Sequence, residues 1–78
     1  MKENKYKLVI FTPLTHSDII RDALGRSGAG VIGNYEKVEE ERIEVIVNEN
    51  ILKNVIEEVK KVHPYEEIAF DVYKLENI

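Results

Sequence analysis

His63-Pro64-Tyr65-Glu66-Glu67 places an imidazole, a phenol and two carboxylates within five consecutive residues. Proline disfavours helical geometry in the residue before it, so the chain must turn at residue 63. The second histidine, His16, follows Pro13 at three residues' distance. Neutral imidazoles combined with carboxylates suit a borderline divalent ion such as Cu(II) or Zn(II). The candidate metal set is therefore His16, His63, Glu66 and Glu67, with the acidic run Glu39-Glu40-Glu41 as a neighbour at the same rim. A structural reading stands beside it: His63 meets the unsatisfied carbonyls of a helix end, and Tyr65 lies over the core edge with its hydroxyl wet.

Other constellations carry less chemistry. The chain has no cysteine, which removes disulfides, thiolate metal sites and a cysteine nucleophile. Ser17 and Ser27 lack the strained strand-to-helix elbow of a hydrolase nucleophile. Gly28-Ala29-Gly30-Val31-Ile32-Gly33 spells G-x-G-x-x-G, but it closes a helix and opens a strand. A dinucleotide site needs the reverse, with the positive helix end at the phosphates. The glycines read instead as a helix cap at Gly28, a sharp loop at Gly30 and a bend or bulge at Gly33. Glu36 and the run Glu39–Glu41 read as a solvated turn.

Six elements must position these residues. Tyr6–Thr12 is short, apolar and ended by Pro13, as a buried strand would be. Thr15 and Asp18 form a capping-box variant ahead of a helix whose stripe is Ile19, Ile20, Ala23 and Leu24. Val31 to Lys37 and Arg42 to Val47 read as strands two and three. Asn48 is placed to cap a second helix striped by Ile51, Leu52, Val55, Ile56, Val59 and Val62. Ile68 to Leu75 is the last strand.

The order predicts an α+β, ferredoxin-like βαββαβ sandwich: one domain over residues 1–78, with a four-stranded antiparallel sheet of order 4-1-3-2 and both helices on one face. Val9, Phe11, Val45 and Phe70 are expected toward the helices, leaving Leu8, Ile10, Ile46 and Tyr73 on the open face. An apolar open face in so small a domain predicts self-association.

Hydrophobic residues make up 44% of the 78, sufficient for one small core. The net charge of −4, with basic residues scattered, argues against a nucleic-acid partner. RNA-recognition modules share this topology but need stacking aromatics on the middle strands, which the third strand lacks. The N-terminal apolar run is too brief for a signal sequence or a membrane span, so a cytoplasmic location is expected.

Taken together, Pro13-x-x-His16, Gly28-Ala29-Gly30-x-Ile32-Gly33-Asn34-Tyr35, Arg42-Ile43-Glu44-Val45 and His63-Pro64-Tyr65-Glu66-Glu67-x-Ala69-x-Asp71-x-Tyr73 resemble the Nif-three-like (YqfO-like) family. The match spans residues 6–75 and corresponds to the small domain inserted in the two-metal members, here as a free-standing short form. That domain is similar to CutA and PII-type proteins, so the resemblance implies a CutA/PII-like trimer. The large body with the dinuclear metal site has no counterpart here. Only Glu36–Glu41 separate the Gly-Asn-Tyr and Arg-Ile-Glu-Val motifs, where family members carry a longer segment. The resemblance transfers Asn34, Tyr35, His63, Tyr65 and Glu66 as a ligand or interface site.

The expected function is a non-enzymatic, oligomeric module that binds a small molecule or a divalent metal at subunit edges. Two alternatives stay open. One is a small metal-dependent hydrolase using His16, His63 and a glutamate to activate water. The other is an adaptor for a separately encoded hydrolase-like partner.

Overall fold

The computed structural model describes residues 4–37, 40–64 and 68–76, with the backbone alone described for residues 31–37. The elements run β1 (Lys5–Pro13), a 3-10 turn (Leu14–His16), α1 (Ser17–Arg26), β2 (Gly30–Lys37), β3 (Glu40–Asn48), α2 (Glu49–Val62) and β4 (Phe70–Lys74). The sheet order is β2-β3-β1-β4, with every neighbouring pair antiparallel. The α+β class and the antiparallel sheet with two helices agree with the expectation.

Register decides the two faces. Leu8 sits opposite Val45 and Val72, and Ile10 opposite Ile43 and Phe70. Residues directly opposite share a face. The core joins Leu8, Ile10, Ile43, Val45 and Val47 to Ile20 and Leu24 of α1 and to Val55 and Val59 of α2. Each such aliphatic side chain stabilises the fold by about 1.5–3 kcal/mol.

This corrects the expected facing of β1. Leu8 and Ile10 point to the helices, and Val9 and Phe11 point away. The strand is apolar at every position from Leu8 to Phe11, so its own pattern carries no parity; pairing with the alternating β3 imposes it. The open face therefore bears Lys7, Val9 and Phe11, then Arg42, Glu44 and Ile46, then Asp71 and Tyr73. Val9 is fully buried there without a covering helix. Long neighbours fold over the sheet: Lys7 Nζ lies 5.3 Å from the Tyr73 ring centre, and Arg42 pairs with Glu44 at 2.5 Å.

The helix ends differ in detail from expectation. The Thr15 hydroxyl does not cap α1; the 3-10 turn intervenes, and Thr15 Oγ1 instead lies 2.8 Å from His16 Nδ1. Ile19 is half exposed, because it falls well round the helix from Leu24. Asn48 occupies the N-cap position of α2 without a side-chain capping bond. At the end of α1, Gly28 takes φ +100°, with Gly28 N–H donating to Gly25 O and Ala29 N–H to Leu24 O. That is a Schellman cap, which requires the left-handed residue glycine supplies. The bulge lies between Val31 and Gly33, where the β2–β3 register shifts.

Candidate functional site

One end of the sheet collects most of the polar chemistry. There β1 ends at Pro13, α1 begins at Ser17, β3 begins at Glu40, and α2 stops before His63. Among the described residues, four polar side chains are buried (Thr12, Ser17, Glu41 and His63), and all four lie at this rim. The hydroxyls of Thr12 and Ser17 both donate to Pro13 O, at 3.2 and 3.5 Å.

His63 is in the C-cap position of α2, and its backbone N–H donates to Val59 O. Its ring reaches across to β1, where Nε2 lies 2.9 Å from Phe11 O. A carbonyl only accepts, so Nε2 carries the proton. His63 therefore joins the helix end to the strand end, and its Nε2 lone pair is not offered to a metal in this arrangement. The ring at position 63 is a structural tie as well as a candidate ligand.

Glu41 overturns the reading of the acidic run as a wholly solvated turn. It is 2% exposed and faces Arg21 of α1, which also binds Asp18 at 2.5 Å. The Glu41 carboxylate, and then that of Asp18, hold the Arg21 guanidinium above its ordinary basicity. The signal for this burial was available only as parity: Glu41 is two and four residues before Ile43 and Val45, on their face of β3.

The two histidines are thus at a common rim, reached from different elements. His16 is half buried; Nδ1 engages Thr15, and Nε2 makes no hydrogen bond among the described residues. Backbone register sets Asn34 opposite Ile43 and Tyr35 opposite Arg42, which in turn faces Phe11. Tyr35 and the Phe11–His63 tie thereby occupy one row across β2, β3 and β1. Tyr65, Glu66 and Glu67 lie outside the described residues. Among the described residues, no three His, Cys, Asp or Glu side chains gather to hold a metal ion.

Neither histidine lines either of two surface depressions. An apolar crevice between α2 and the β4 flank is lined by Leu8, Ile10, Ile56, Val59, Ile68 and Phe70. A polar groove of about 120 Å³ lies between the helices near the end of α1, beside Arg26, Ser27, Asn54 and Glu58. Among the described residues, no helix is long and apolar enough to cross a membrane.

No family model matches the chain. It is 41% identical to a GTP cyclohydrolase 1 type 2 homolog of Halalkalibacterium halodurans, over 96% of this chain and 28% of that protein. The aligned span of 104 residues exceeds the 78 of this chain, so the relative carries at least 26 further residues within it. Among solved structures, a Bacillus cereus protein related to NIF3 is 41% identical with a TM-score of 0.84, covering 96% of this chain and 26% of that one. CutA1 from Oryza sativa matches in fold alone, with a TM-score of 0.73 at 12% identity over 95% of this chain and 82% of the other. So does the PII-like protein CPII of Thiomonas intermedia K12, whose structure holds ADP, AMP and bicarbonate (TM-score 0.66, 20% identity, 95% and 89% covered). The chain thus spans little more than a quarter of the curated relatives it matches.

Proposed function

Since the chain is a relative of the CutA/PII-like segment of NIF3-related proteins, we propose that it is a regulatory module that binds a small ligand at the rim of a homo-oligomer. The observation that carries this reading is the rim itself. Four buried polar side chains hold it together through inward hydrogen bonds and one ion pair, so the strand and helix ends present a pre-organised edge. His16 Nε2, the Asn34-Tyr35 strand and the segment Tyr65-Glu66-Glu67 supply the recognition groups. Tyrosines at a subunit edge combine an apolar ring with a polar tip, as small-molecule sites do. The nucleotide-bound fold neighbour supports ligand binding in this class of fold.

In the oligomer, taken to be the trimer that the resemblance implies, a second copy covers the face bearing Val9, Phe11, Ile46 and Tyr73. A divalent ion would be held by His16 Nε2 with Glu66 and Glu67. The test is a thermal-shift screen of nucleotides, carboxylates and divalent ions, since a ligand specific for the native state raises its melting temperature. A concentration-dependent rise that is lost in both His16→Ala and Tyr65→Ala supports the rim. A rise that survives both substitutions moves the site elsewhere.

A further inference from the structure

The polar groove between the helices is lined by residues that the rim reading does not use: Ala23, Arg26 and Ser27 of α1, with Asn54 and Glu58 of α2. Gly28 stands against Ile51, so the end of α1 lies beside the first turns of α2, and Asn54 and Glu58 follow toward Ala23. Ala23 and Ser27 are small, which leaves a hollow of about 120 Å³. That is room for several waters, yet well below the size of a drug-sized pocket. A ligand held there has only a handful of non-hydrogen atoms.

The walls carry one charge of each sign and one amide. Arg26 turns Nε to Asp22 at 2.8 Å, and Glu58 holds Lys61 through Oε2 at 3.1 Å. Both are surface pairs within one helix, which contribute little. The terminal amines of Arg26, Glu58 Oε1 and the Asn54 amide make no hydrogen bond among the described residues. Asp22, Arg26, Glu58 and Lys61 sum to no net charge, so a ligand of single charge gains no net attraction. Glu57 and Lys53 do not line the groove. They are turned about 60° and about 100° from Asn54, on the side opposite to Glu58. The carbonyls at the end of α1 are already engaged, Ala23 O by Ser27 and Leu24 O by Ala29.

We propose that this groove binds a small zwitterion, a free α-amino acid with a short side chain. Its carboxylate accepts from the terminal amines of Arg26 and from the Asn54 amide, and its ammonium donates to Glu58 Oε1. Asn54 and Glu58 are one turn apart, about 6 Å along α2. An ammonium and a carboxylate on the same carbon close that span with one hydrogen bond at each end. The volume over Ala23 admits a methyl or hydroxymethyl group and little more. No rim residue lines this groove, so its failure would leave the rim reading intact, and the reverse.

The test is a titration of the isotope-labelled chain with L-alanine, read by amide chemical shifts, with acetate and methylammonium as single-charge probes. L-alanine should shift amides within residues 23–27 and 54–58 and saturate in the millimolar range, as a ligand of so few atoms does. Acetate and methylammonium should not saturate over that range. Arg26→Gln and Glu58→Gln should each weaken binding by about tenfold or more, since a charged hydrogen bond is lost. Glu57→Gln, outside the lining, should leave it unchanged. Positions 26 and 57 are exposed and 58 is half buried, so all three variants should fold, which melting curves check. Shifts that stay linear with L-alanine, or that saturate at other residues, overturn the proposal. So does equal saturation by either single-charge probe, or parent-like binding in Arg26→Gln or Glu58→Gln.

Discussion

The imidazole of His63, at the end of α2, donates Nε2–H to the backbone carbonyl of Phe11, 52 residues earlier on β1. Position 63 is 8% exposed, so the carbonyl has little water to replace the ring. His63→Ala should destabilise the fold by about 1–3 kcal/mol, the usual consequence of an orphaned buried acceptor. Urea denaturation measures this, and a loss below about 0.3 kcal/mol would remove the tie.

Arg21 and Glu41 form an asymmetric pair, with the carboxylate buried and the guanidinium a third exposed. Removing Arg21 strands a buried charge, whereas Glu41→Gln keeps shape and removes it. Arg21→Ala should therefore cost more than Glu41→Gln, by about 1 kcal/mol or more. Equal losses in parallel denaturation curves would contradict this.

The same pair sets an expectation for alkaline conditions. The Arg21 pKa is raised, chiefly by its hydrogen bond to Glu41. A raised cationic pKa gives stability that is complete below the unfolded-state value and is lost only as pH rises through the folded one. For arginine that window lies beyond the working range, so the Arg21→Ala penalty should stay constant between about pH 7 and 10. A penalty that fades across that interval would show that the pair is not what Arg21 contributes.

Gly28 adopts φ +100°, and a Cβ there would stand 3.1 Å from Ile51 Cδ1. Gly28→Ala should cost about 1–2 kcal/mol from the left-handed backbone, or roughly 4–8 °C of melting temperature per kcal/mol in a domain of this size. Gly25→Ala, with nothing within 4 Å of its added carbon, should be neutral or stabilising. Calorimetry of the two variants separates backbone strain from a general intolerance of substitution.

Metal and assembly have separate readouts. Zn(II) or Cu(II) titration should show weak, micromolar-range binding that disappears in His16→Ala. Heat unchanged by that substitution would take the ion away from the rim. Light scattering should give a multiple of the 9.0 kDa chain mass, threefold for a trimer. Tyr73→Glu, on the exposed open face, should reduce the mass without unfolding the chain; a monomer in the parent protein would end the oligomeric reading.

The order of strands and helices was legible in the residues because each amphipathic stripe and each breaker acts locally. Pro13, Gly28 and Pro64 interrupt elements wherever the chain goes, and the i, i+4 spacing of α2 has one reading. Gly33 likewise marked a bulge that pairing then displayed. The facing of β1 was not legible, since four consecutive apolar residues are equivalent until β3 sets the register. Nor was the burial of Glu41, which local pattern assigns to a polar turn and only the approach of Arg21 from α1 makes tolerable. His63 shows both limits at once. Its place at a helix end follows from the proline after it, whereas the carbonyl that orients its ring belongs to a strand the chain must first fold back to meet.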